Sequence, residues 1–310
     1  MDFQYNQNGI YCLVEMPVEN FRRSLGLKMV KLIECPRDAM QGLKTFIPTE
    51  KKIAYINQLM RVGFDTIDFG SFVSHKAVPQ MADTHEVIRR LEPEGKSKLL
   101  AIVANLRGAE DACRYEGIRY VGYPFSISET FQRRNTNSTI AESLETVKEI
   151  QDLCAHHGKQ LVIYISMGFG NPYGDPWNVH IAQYWVDELA ELGIRIISLS
   201  DTIGVSTPDS IHYLFSNLIP PYPDVEFGAH LHTMPRSWRE KVEAAWNGGC
   251  KRFDGALKGM GGCPMAKDDL TGNMPTERML SFFKETVPDL SIDWTELDKA
   301  MAMADTLFYS

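Results

Sequence analysis

Residues 225–234, VEFGAHLHTM, have the pattern of a β-strand that ends in two histidines, His230 and His232. Because successive side chains on a strand point to opposite faces, these two imidazoles point the same way. A lone histidine is more often a core or surface residue, but a pair at this spacing favours metal binding. The best placed third ligand is Asp38, in the segment PRDAMQ. Two histidines and a carboxylate leave positions open for substrate and suit Mg²⁺, Mn²⁺, Zn²⁺, Co²⁺ or Fe²⁺.

Two further residues, Arg37 and Cys263, each have a structural and a chemical interpretation, and Asp201 has a structural one. Arg37, next to Asp38, either forms a surface ion pair or is a fixed cation that donates to a developing oxyanion. Cys263 lies in the glycine-rich segment GMGGCPMAK, which either carries the thiol on a closing lid or buries it in a tight turn. Asp201, in SDTIG, has the ordinary role of closing the turn after a strand.

Composition and charge exclude several classes of protein. The chain has 310 residues with 44% hydrophobic and 23% charged residues, a globular composition that excludes wholesale disorder. The formal net charge of −8 argues against nucleic acid as a partner, because phosphate binding requires a basic surface. No stretch is apolar enough to span a membrane, and residues 1–27 do not have the pattern of a signal peptide. Six scattered cysteines without a CxxC pair indicate reduced thiols and a cytoplasmic location.

Strand-like runs alternate with helical periodicity from Met29 onward. Eight strand-then-helix units predict parallel strands with right-handed crossovers, and eight strands close a (β/α)8 TIM barrel. A doubly wound open sheet is the alternative. We predict an extension over residues 1–28 and a single barrel domain with C-terminal helices over residues 29–310. The predicted helices include residues 49–62, 139–157, 179–192 and 237–247. Polar residues follow most of the strands, which predicts a site at the carboxyl rim of the barrel.

Five segments resemble 3-hydroxy-3-methylglutaryl-CoA lyase, a family of metal-dependent barrel lyases and Claisen-type synthases. The segments are CPRDAMQGLK, SFVSHKAVPQMAD, SLSDTIGVSTP, AHLH and GMGGCPMAKDDLTGNMPTE. The resemblance runs in order from about residue 30 to about residue 280. The GGCP and SFVS…VPQM segments favour the lyase branch over the synthases. The resemblance implies an acyl-CoA substrate and a divalent metal, with Mg²⁺ or Mn²⁺ expected first. Barrels of this kind often dimerise, so a homodimer is expected.

The resemblance also implies roles for individual residues. The implied metal ligands are Asp38, His230, His232 and Asn273. The implied catalytic residues are Arg37, which would stabilise an enolate, Cys263 on the closing loop, and His230, Asp68, Asp201 and Glu277. The implied contacts with substrate or coenzyme A are Gln41, Lys44, Ser71 and Tyr164.

Several positions depart from the family pattern. Asp68 stands where glutamate is usual, and Val162 stands where an arginine precedes the pocket tyrosine. Ala39 replaces the glycine that usually follows the Arg-Asp pair, and Thr233 replaces an aspartate that often follows the second histidine. Orientation of the histidines must therefore come from other residues. These departures mark a divergent branch, and they bear on the acyl substrate more than on the chemistry.

The reaction that the resemblance implies is a retro-Claisen cleavage of 3-hydroxy-3-methylglutaryl-CoA to acetoacetate and acetyl-CoA, as in leucine degradation and ketone-body formation. A Claisen-type synthase is the rival enzyme, and the end of the chain soon after DWTELDKAMAM disfavours it, because synthases tend to carry a C-terminal regulatory region. A lyase or aldolase acting on another 3-hydroxyacyl substrate is a second alternative. A barrel that binds metal without turnover is the non-enzymatic alternative.

Overall fold

The computed structural model describes residues 29–92, 97–262 and 271–309, together with the backbone of a short antiparallel pair formed by Gln4–Tyr5 and Tyr11–Cys12. Eight parallel strands close into a barrel in chain order, with β8 paired to β1. The strands are β1 (Lys31–Glu34), β2 (Thr66–Ser71), β3 (Lys98–Ile102), β4 (Ile118–Ser126), β5 (Gln160–Ser166), β6 (Ile196–Ser200), β7 (Glu226–His230) and β8 (Arg252–Gly255). The TIM-barrel prediction is confirmed, and the doubly wound sheet is excluded.

Helices form the outer layer of the barrel. They are α1 (Pro36–Gln41), α2 (Thr49–Val62), α3 (Thr84–Arg90), α4 (Leu106–Cys113), α5 (Glu129–Thr136), α6 (Ile140–His156), α7 (Val179–Glu191), α8 (Pro208–Leu218), α9 (Trp238–Asn247), α10 (Thr276–Thr286) and α11 (Trp294–Tyr309). Short 3-10 turns cover Pro79–Met81 and Leu257–Gly259. Within the described residues, no helix is both long and apolar enough to cross a bilayer.

The alternation of side chains along each strand divides the core into two parts. On β5, Leu161 and Ile163 pack into the large core between the barrel and the helices. Val162 and Tyr164 point the other way and belong to a small cluster inside the barrel. Residues two apart on one strand therefore share a face. Those that face the interior, at the end of each strand, lie at the carboxyl rim of the barrel.

The four predicted helices match the structure within one residue at each end. The helix predicted over residues 49–62 is α2, but Thr49 does not cap it; its hydroxyl donates to Asp83 instead, at 2.8 Å. Thr207 does cap α8, in a capping box with Ser210. The segment PRDAMQ is the short helix α1, which starts with a proline, a residue that favours the first helical position.

The C-terminal helices belong to the outer layer of the barrel. The amide of Asp293 donates to the carbonyl of Val62 at 2.9 Å, where α2 ends. Gln58 of α2 donates to the carboxylate of Glu296 at 2.7 Å. The helix α11 is thereby fixed against α2, as the prediction of a barrel with C-terminal helices requires. The division of the chain at residue 28 stays a prediction.

Candidate active site at the carboxyl rim of the barrel

A cavity of about 860 Å³ opens at the carboxyl ends of the strands. Seven of the predicted site residues line it: Arg37, Asp38, Gln41, Ser71, Tyr164, His230 and His232. Asn273 lies directly behind, hydrogen-bonded to Asp38 at 2.6 Å. Asp68, Asp201, Glu277 and Lys44 do not line the cavity. Cys263 lies outside the described residues, so its predicted place on a lid stays a prediction.

Asp38, His230 and His232 form a cluster that fits a divalent cation. Each offers one ligand atom, and these atoms lie within 4.8 Å of one another. The two imidazole centroids are 5.4 Å apart. The strand β7 ends at His230, and His232 begins a separate short strand that pairs with Gly272–Asn273. Nε2 of His232 is buried and has no partner among the described residues. An unpaired acceptor nitrogen beside a carboxylate is the donor set that a divalent cation requires.

Asp254 orients His230. Its Oδ2 atom lies 3.2 Å from Nδ1 of His230, and the Asp254 side chain is fully buried on β8. Burial opposes the charge of the imidazole, but the hydrogen bond to Asp254 and the charges of Asp254 and Asp38 together raise the pKa of His230. A carboxylate on Nδ1 fixes the tautomer whose Nε2 is free to bind metal. Cys35 is also near this pair, but burial raises the pKa of its thiol.

A backbone carbonyl orients His232. Nδ1 of His232 lies 3.0 Å from the carbonyl of Thr202. Burial, followed by the nearby charge of His230, lowers the pKa of His232 to about 4. The imidazole is therefore neutral at physiological pH, and its Nδ1 donates to Thr202. A neutral imidazole is the form that binds metal.

Asp201 closes the loop that carries Thr202. Its Oδ1 atom accepts from the amide of Ser206 at 3.1 Å, and its Oδ2 atom accepts from Nζ of Lys241 at 2.8 Å. Lys241 also donates to the carbonyl of His232 at 2.8 Å. Both Asp201 and Lys241 are buried. The structure thus places Asp201 in an ion pair behind His232, outside the cavity wall.

Asp38 is held by three donors. Arg37 Nη1 and Gln41 Nε2 donate to its Oδ1 atom at 3.0 and 2.6 Å. The Asn273 amide nitrogen donates to its Oδ2 atom, and also to the carbonyl of Met260 at 2.8 Å. Burial opposes ionisation, but the charge of Arg37 leads the effects that lower the pKa of Asp38. In this geometry Asn273 tethers Asp38 through its nitrogen, whereas a metal ligand would use the amide oxygen.

Arg37 is fixed by Asp68 as well as by Asp38. Its Nε and Nη2 atoms donate to Oδ2 of Asp68 at 3.0 and 2.5 Å. Burial opposes the guanidinium charge, but Asp68 and Asp38 raise the pKa of Arg37. The Arg37 side chain is therefore a permanent cation, held in one orientation at the edge of the cluster formed by Asp38, His230 and His232. Asp68 is one methylene shorter than the usual glutamate and still makes the bidentate contact.

Glycine at position 261 allows the backbone to pack closely against the carbonyl of Asp38. Gly261 has a φ of +84°, and a Cβ there would come within 2.5 Å of the Asp38 carbonyl oxygen. No other residue fits this approach without displacing the backbone. The chain passes from Gly261 and Gly262, which both line the cavity, into the segment that carries Cys263.

Two predicted residues lie at the margin of the site. Glu277, at the start of α10, accepts from the amide of Lys258 at 3.0 Å. Lys44 is exposed and lies outside the cavity wall. Asp254 and Lys241 were not predicted. The strand-end rule could have identified Asp254, which ends the run RFD, but nothing in the sequence near Lys241 marks it as buried.

Comparisons with known proteins agree with this architecture. The HMGL-like family model matches residues 30–303. The 3-hydroxy-3-isohexenylglutaryl-CoA/hydroxy-methylglutaryl-CoA lyase of Pseudomonas aeruginosa is 34% identical over 254 residues, which are 82% of this chain and 84% of the relative. The crystal structure of the Bacillus subtilis HMG-CoA lyase matches with a TM-score of 0.86 at 30% identity, over 91% of this chain and 95% of that chain.

A further solved structure holds a ligand. It is an HMG-CoA lyase from Acinetobacter baumannii in complex with coenzyme A and 3-methylmalate, and it matches with a TM-score of 0.82 at 30% identity. The match covers 91% of this chain and 92% of that chain. The closed barrel, the cluster at its carboxyl rim and a family match over nearly the whole length agree: this chain belongs to the HMGL-like family of carbon–carbon lyases.

Proposed function

We propose that this protein is a divalent-metal-dependent lyase that cleaves 3-hydroxy-3-methylglutaryl-CoA to acetoacetate and acetyl-CoA. The observation that carries the proposal is the convergence of Asp38, His230 and His232 within 4.8 Å, beside a guanidinium fixed by two carboxylates. The relatives named HMG-CoA lyase support the substrate. Mg²⁺ or Mn²⁺ is the proposed metal because the aspartate and amide oxygens suit hard cations, and Zn²⁺ or Co²⁺ would suit the histidines.

The protein's own residues divide the work of a retro-Claisen cleavage. A bound divalent cation would lower the pKa of the substrate's tertiary hydroxyl and favour the alkoxide. Arg37 donates hydrogen bonds to the thioester oxygen as enolate charge develops there, and one such preorganised donor is worth about 3–4 kcal/mol. Asp68 holds Arg37 in that orientation. Cys263 is the proposed donor of the proton that returns to the enolate carbon, since a thiol has a suitable ordinary pKa.

The remaining predicted residues take supporting roles in this proposal. His230 lines the cavity, whereas Asp201 and Glu277 are engaged in hydrogen bonds outside it. Asp201 therefore acts through Lys241 and the loop that orients His232, not on the substrate. Asn273 is a ligand if its amide turns, and a tether for Asp38 in the present geometry. Gln41, Ser71 and Tyr164 are proposed to contact substrate, and Lys44 the coenzyme A portion.

A longer acyl chain is the second candidate substrate. The Pseudomonas aeruginosa relative is named for an isohexenyl as well as a methyl substrate. The lining of the cavity of about 860 Å³ includes the apolar residues Val73, Val78, Ile102 and Phe131. Apolar walls reward added methylene groups by about 0.8 kcal/mol each. We further propose a homodimer, a cytoplasmic location and a place in leucine degradation or ketone-body formation.

The test is a direct assay of the purified full chain. Incubation with 3-hydroxy-3-methylglutaryl-CoA and Mg²⁺ or Mn²⁺ should release acetoacetate and acetyl-CoA in equal amounts, and a chelator should abolish release. A parallel assay with acetyl-CoA and a 2-oxo acid tests the synthase alternative. Asp38→Ala should lose metal and activity together, whereas Cys263→Ser should lose activity and keep metal. Full turnover in metal-stripped protein would refute the proposal.

A further inference from the structure

Two charged residues of β8 point into the barrel beneath the rim. Phe253 faces the outer core, so its neighbours Arg252 and Asp254 face the interior. Asp254 is in register with His230 on β7, and Arg252 is in register with Gly228, one layer deeper. The side chain of Arg252 is fully buried. An arginine therefore lies directly below the carboxylate that orients a candidate metal ligand.

The space for Arg252 is built into the neighbouring strand. A Cβ at position 228 would lie 3.1 Å from Cδ of Arg252 and 2.9 Å from Oγ of Ser198. Glycine at this position makes room for the arginine stem. Burying such a charge costs several kcal/mol unless opposite charges compensate it.

Two carboxylates compensate this charge, Glu226 through a hydrogen bond and Asp254 through its charge alone. Nη1 donates to Oε1 of Glu226 at 3.1 Å, toward the amino end of the barrel. Among the described residues, Nε and Nη2 of Arg252 have no hydrogen-bond partner, and neither has Oδ1 of Asp254. Burial opposes the charge of Arg252, and Asp254 is the strongest of the groups that raise its pKa. Asp254 thus stands between a buried cation and the imidazole of His230.

We propose that Arg252 is a positioning residue for the metal site. Its charge holds Asp254 as the acceptor of the His230 Nδ1–H bond, so that Nε2 of His230 faces Asp38 and His232. The inference rests on the proposed function, because it presumes that the cluster binds a divalent cation. Residues that support a metal ligand in this way typically change metal affinity 10–100-fold when they are removed.

A purely structural role for Arg252 makes a different prediction. If Arg252 served only to pair with Glu226 and fill the barrel, its removal would lower stability without changing metal affinity. Glu226→Gln is the matched control, because it removes the other carboxylate from Arg252 and leaves Asp254 in place. Glu226→Gln should change the Mn²⁺ affinity by no more than about 3-fold. That limit lies well below the change expected for a residue that supports a metal ligand.

The experiment measures Mn²⁺ binding to the full chain by calorimetry and by the electron paramagnetic resonance of free Mn²⁺. Arg252→Met should weaken binding at least about 10-fold, and Asp254→Asn similarly. The double variant should bind Mn²⁺ no more weakly than the weaker-binding of the two single variants, since both changes act on one hydrogen bond. Arg252→Lys, which keeps the charge, should recover part of the affinity.

Five outcomes decide the question. Wild-type affinity in folded Arg252→Met, or losses that multiply in the double variant, would overturn the role of Arg252 while leaving the proposed function intact. Should Arg252→Met fail to fold, Arg252→Gln and Arg252→Lys are compared, and equal affinity in these two would overturn it. If the wild-type chain bound no Mn²⁺, the proposed function itself would fail. Reduced affinity with non-additive losses supports the inference.

Discussion

The two sides of the candidate metal site are supported in different ways. On the histidine side, formed by His230 and His232, the supports are buried ion pairs, and Lys241 with Asp201 is the shortest at 2.8 Å. On the amide side, formed by Asp38 and Asn273, Asp38 is paired with Arg37 within the site, and the support beneath the rim is Glu34 at the end of β1. Within the described part of the chain, no lysine or arginine forms an ion pair with Glu34.

Glu34 connects both ends of the segment that passes over Asp38. It is fully buried and accepts from the amide of Leu257 at 2.8 Å, just before that segment. Its other oxygen lies 2.6 Å from the hydroxyl of Thr276, just after the segment. Burial leads the effects that raise the pKa of Glu34, to about 8. Beneath the rim, an ion pair therefore supports His232, whereas a neutral carboxyl group supports the segment beside Asp38, so these two supports should respond differently to mutation and to pH.

The largest effect is expected from breaking the ion pair on the histidine side. Lys241→Met leaves Asp201 buried without its counter-charge and removes the donor to the His232 carbonyl. Removing one partner of a buried pair typically costs about 3–5 kcal/mol. We expect a fall of that size in the free energy of unfolding, measured by urea denaturation, and weaker metal binding in the fraction that remains folded.

Lys299→Met is the matched control for that variant. Lys299 pairs with Glu296 at 2.6 Å on α11, but its side chain is 58% exposed. Exposed pairs contribute about 0–1 kcal/mol. Equal losses in the two lysine variants would show that the pair behind His232 gains nothing from its burial, and the contrast between the two sides of the site would disappear.

A pH-dependent effect is expected on the amide side. Glu34 has a pKa of about 8 when folded and an ordinary value of 4.5. Between these values the folded chain holds a proton that the unfolded chain has lost, so stability is greatest at low pH and falls as pH rises. Each pKa unit corresponds to about 1.4 kcal/mol. Wild-type protein should therefore lose roughly 3 kcal/mol more than Glu34→Gln between pH 5 and pH 8.

Glutamine is a suitable replacement because it keeps both contacts of the neutral acid. Its oxygen accepts from the Leu257 amide, and its nitrogen donates to the Thr276 hydroxyl. Urea denaturation of both proteins at pH 5, 6.5 and 8 makes the comparison, and the other titrating groups cancel in the difference. Parallel pH profiles would mean that Glu34 is ionised in the folded chain and that the support beneath the amide side is also charged.

Sequence reasoning identified the fold and the histidine side of the site for a shared physical reason. Eight alternating runs require a barrel, and the carboxyl ends of parallel strands meet at one rim. His230 and His232 satisfied that rule although β7 ends between them. Asp254 satisfies it too and could have been predicted, since it is the last residue but one of β8 and is in register with His230, which ends β7.

The supports could not be predicted because their partners are distant in sequence and their residue types are ordinarily exposed. Lys241 lies on a helix, where a lysine is usually solvated. It is buried only because the loop after β6 folds back against α9. Glu34 is a strand-end carboxylate, as is Asp254, but it points outward to α10. Asp254 is in register with Ile33 of β1, so an offset of one residue separates a carboxylate that faces the interior of the barrel from one that faces the outer layer.

The smallest effect on stability is expected from filling the space beside Arg252, beneath the histidine side. In Gly228→Ala, the new methyl group meets the Arg252 stem and the Ser198 hydroxyl, and overpacking of this kind costs about 1–3 kcal/mol. Gly42→Ala is the control, because a Cβ at Gly42 meets nothing within 4 Å and its φ is −85°. That change should be neutral or stabilise by up to about 1 kcal/mol through the unfolded chain. Thermal unfolding of both variants makes the comparison. If Gly228→Ala left the stability unchanged, Arg252 could shift without loss. That result would weaken the case for a fixed guanidinium under His230.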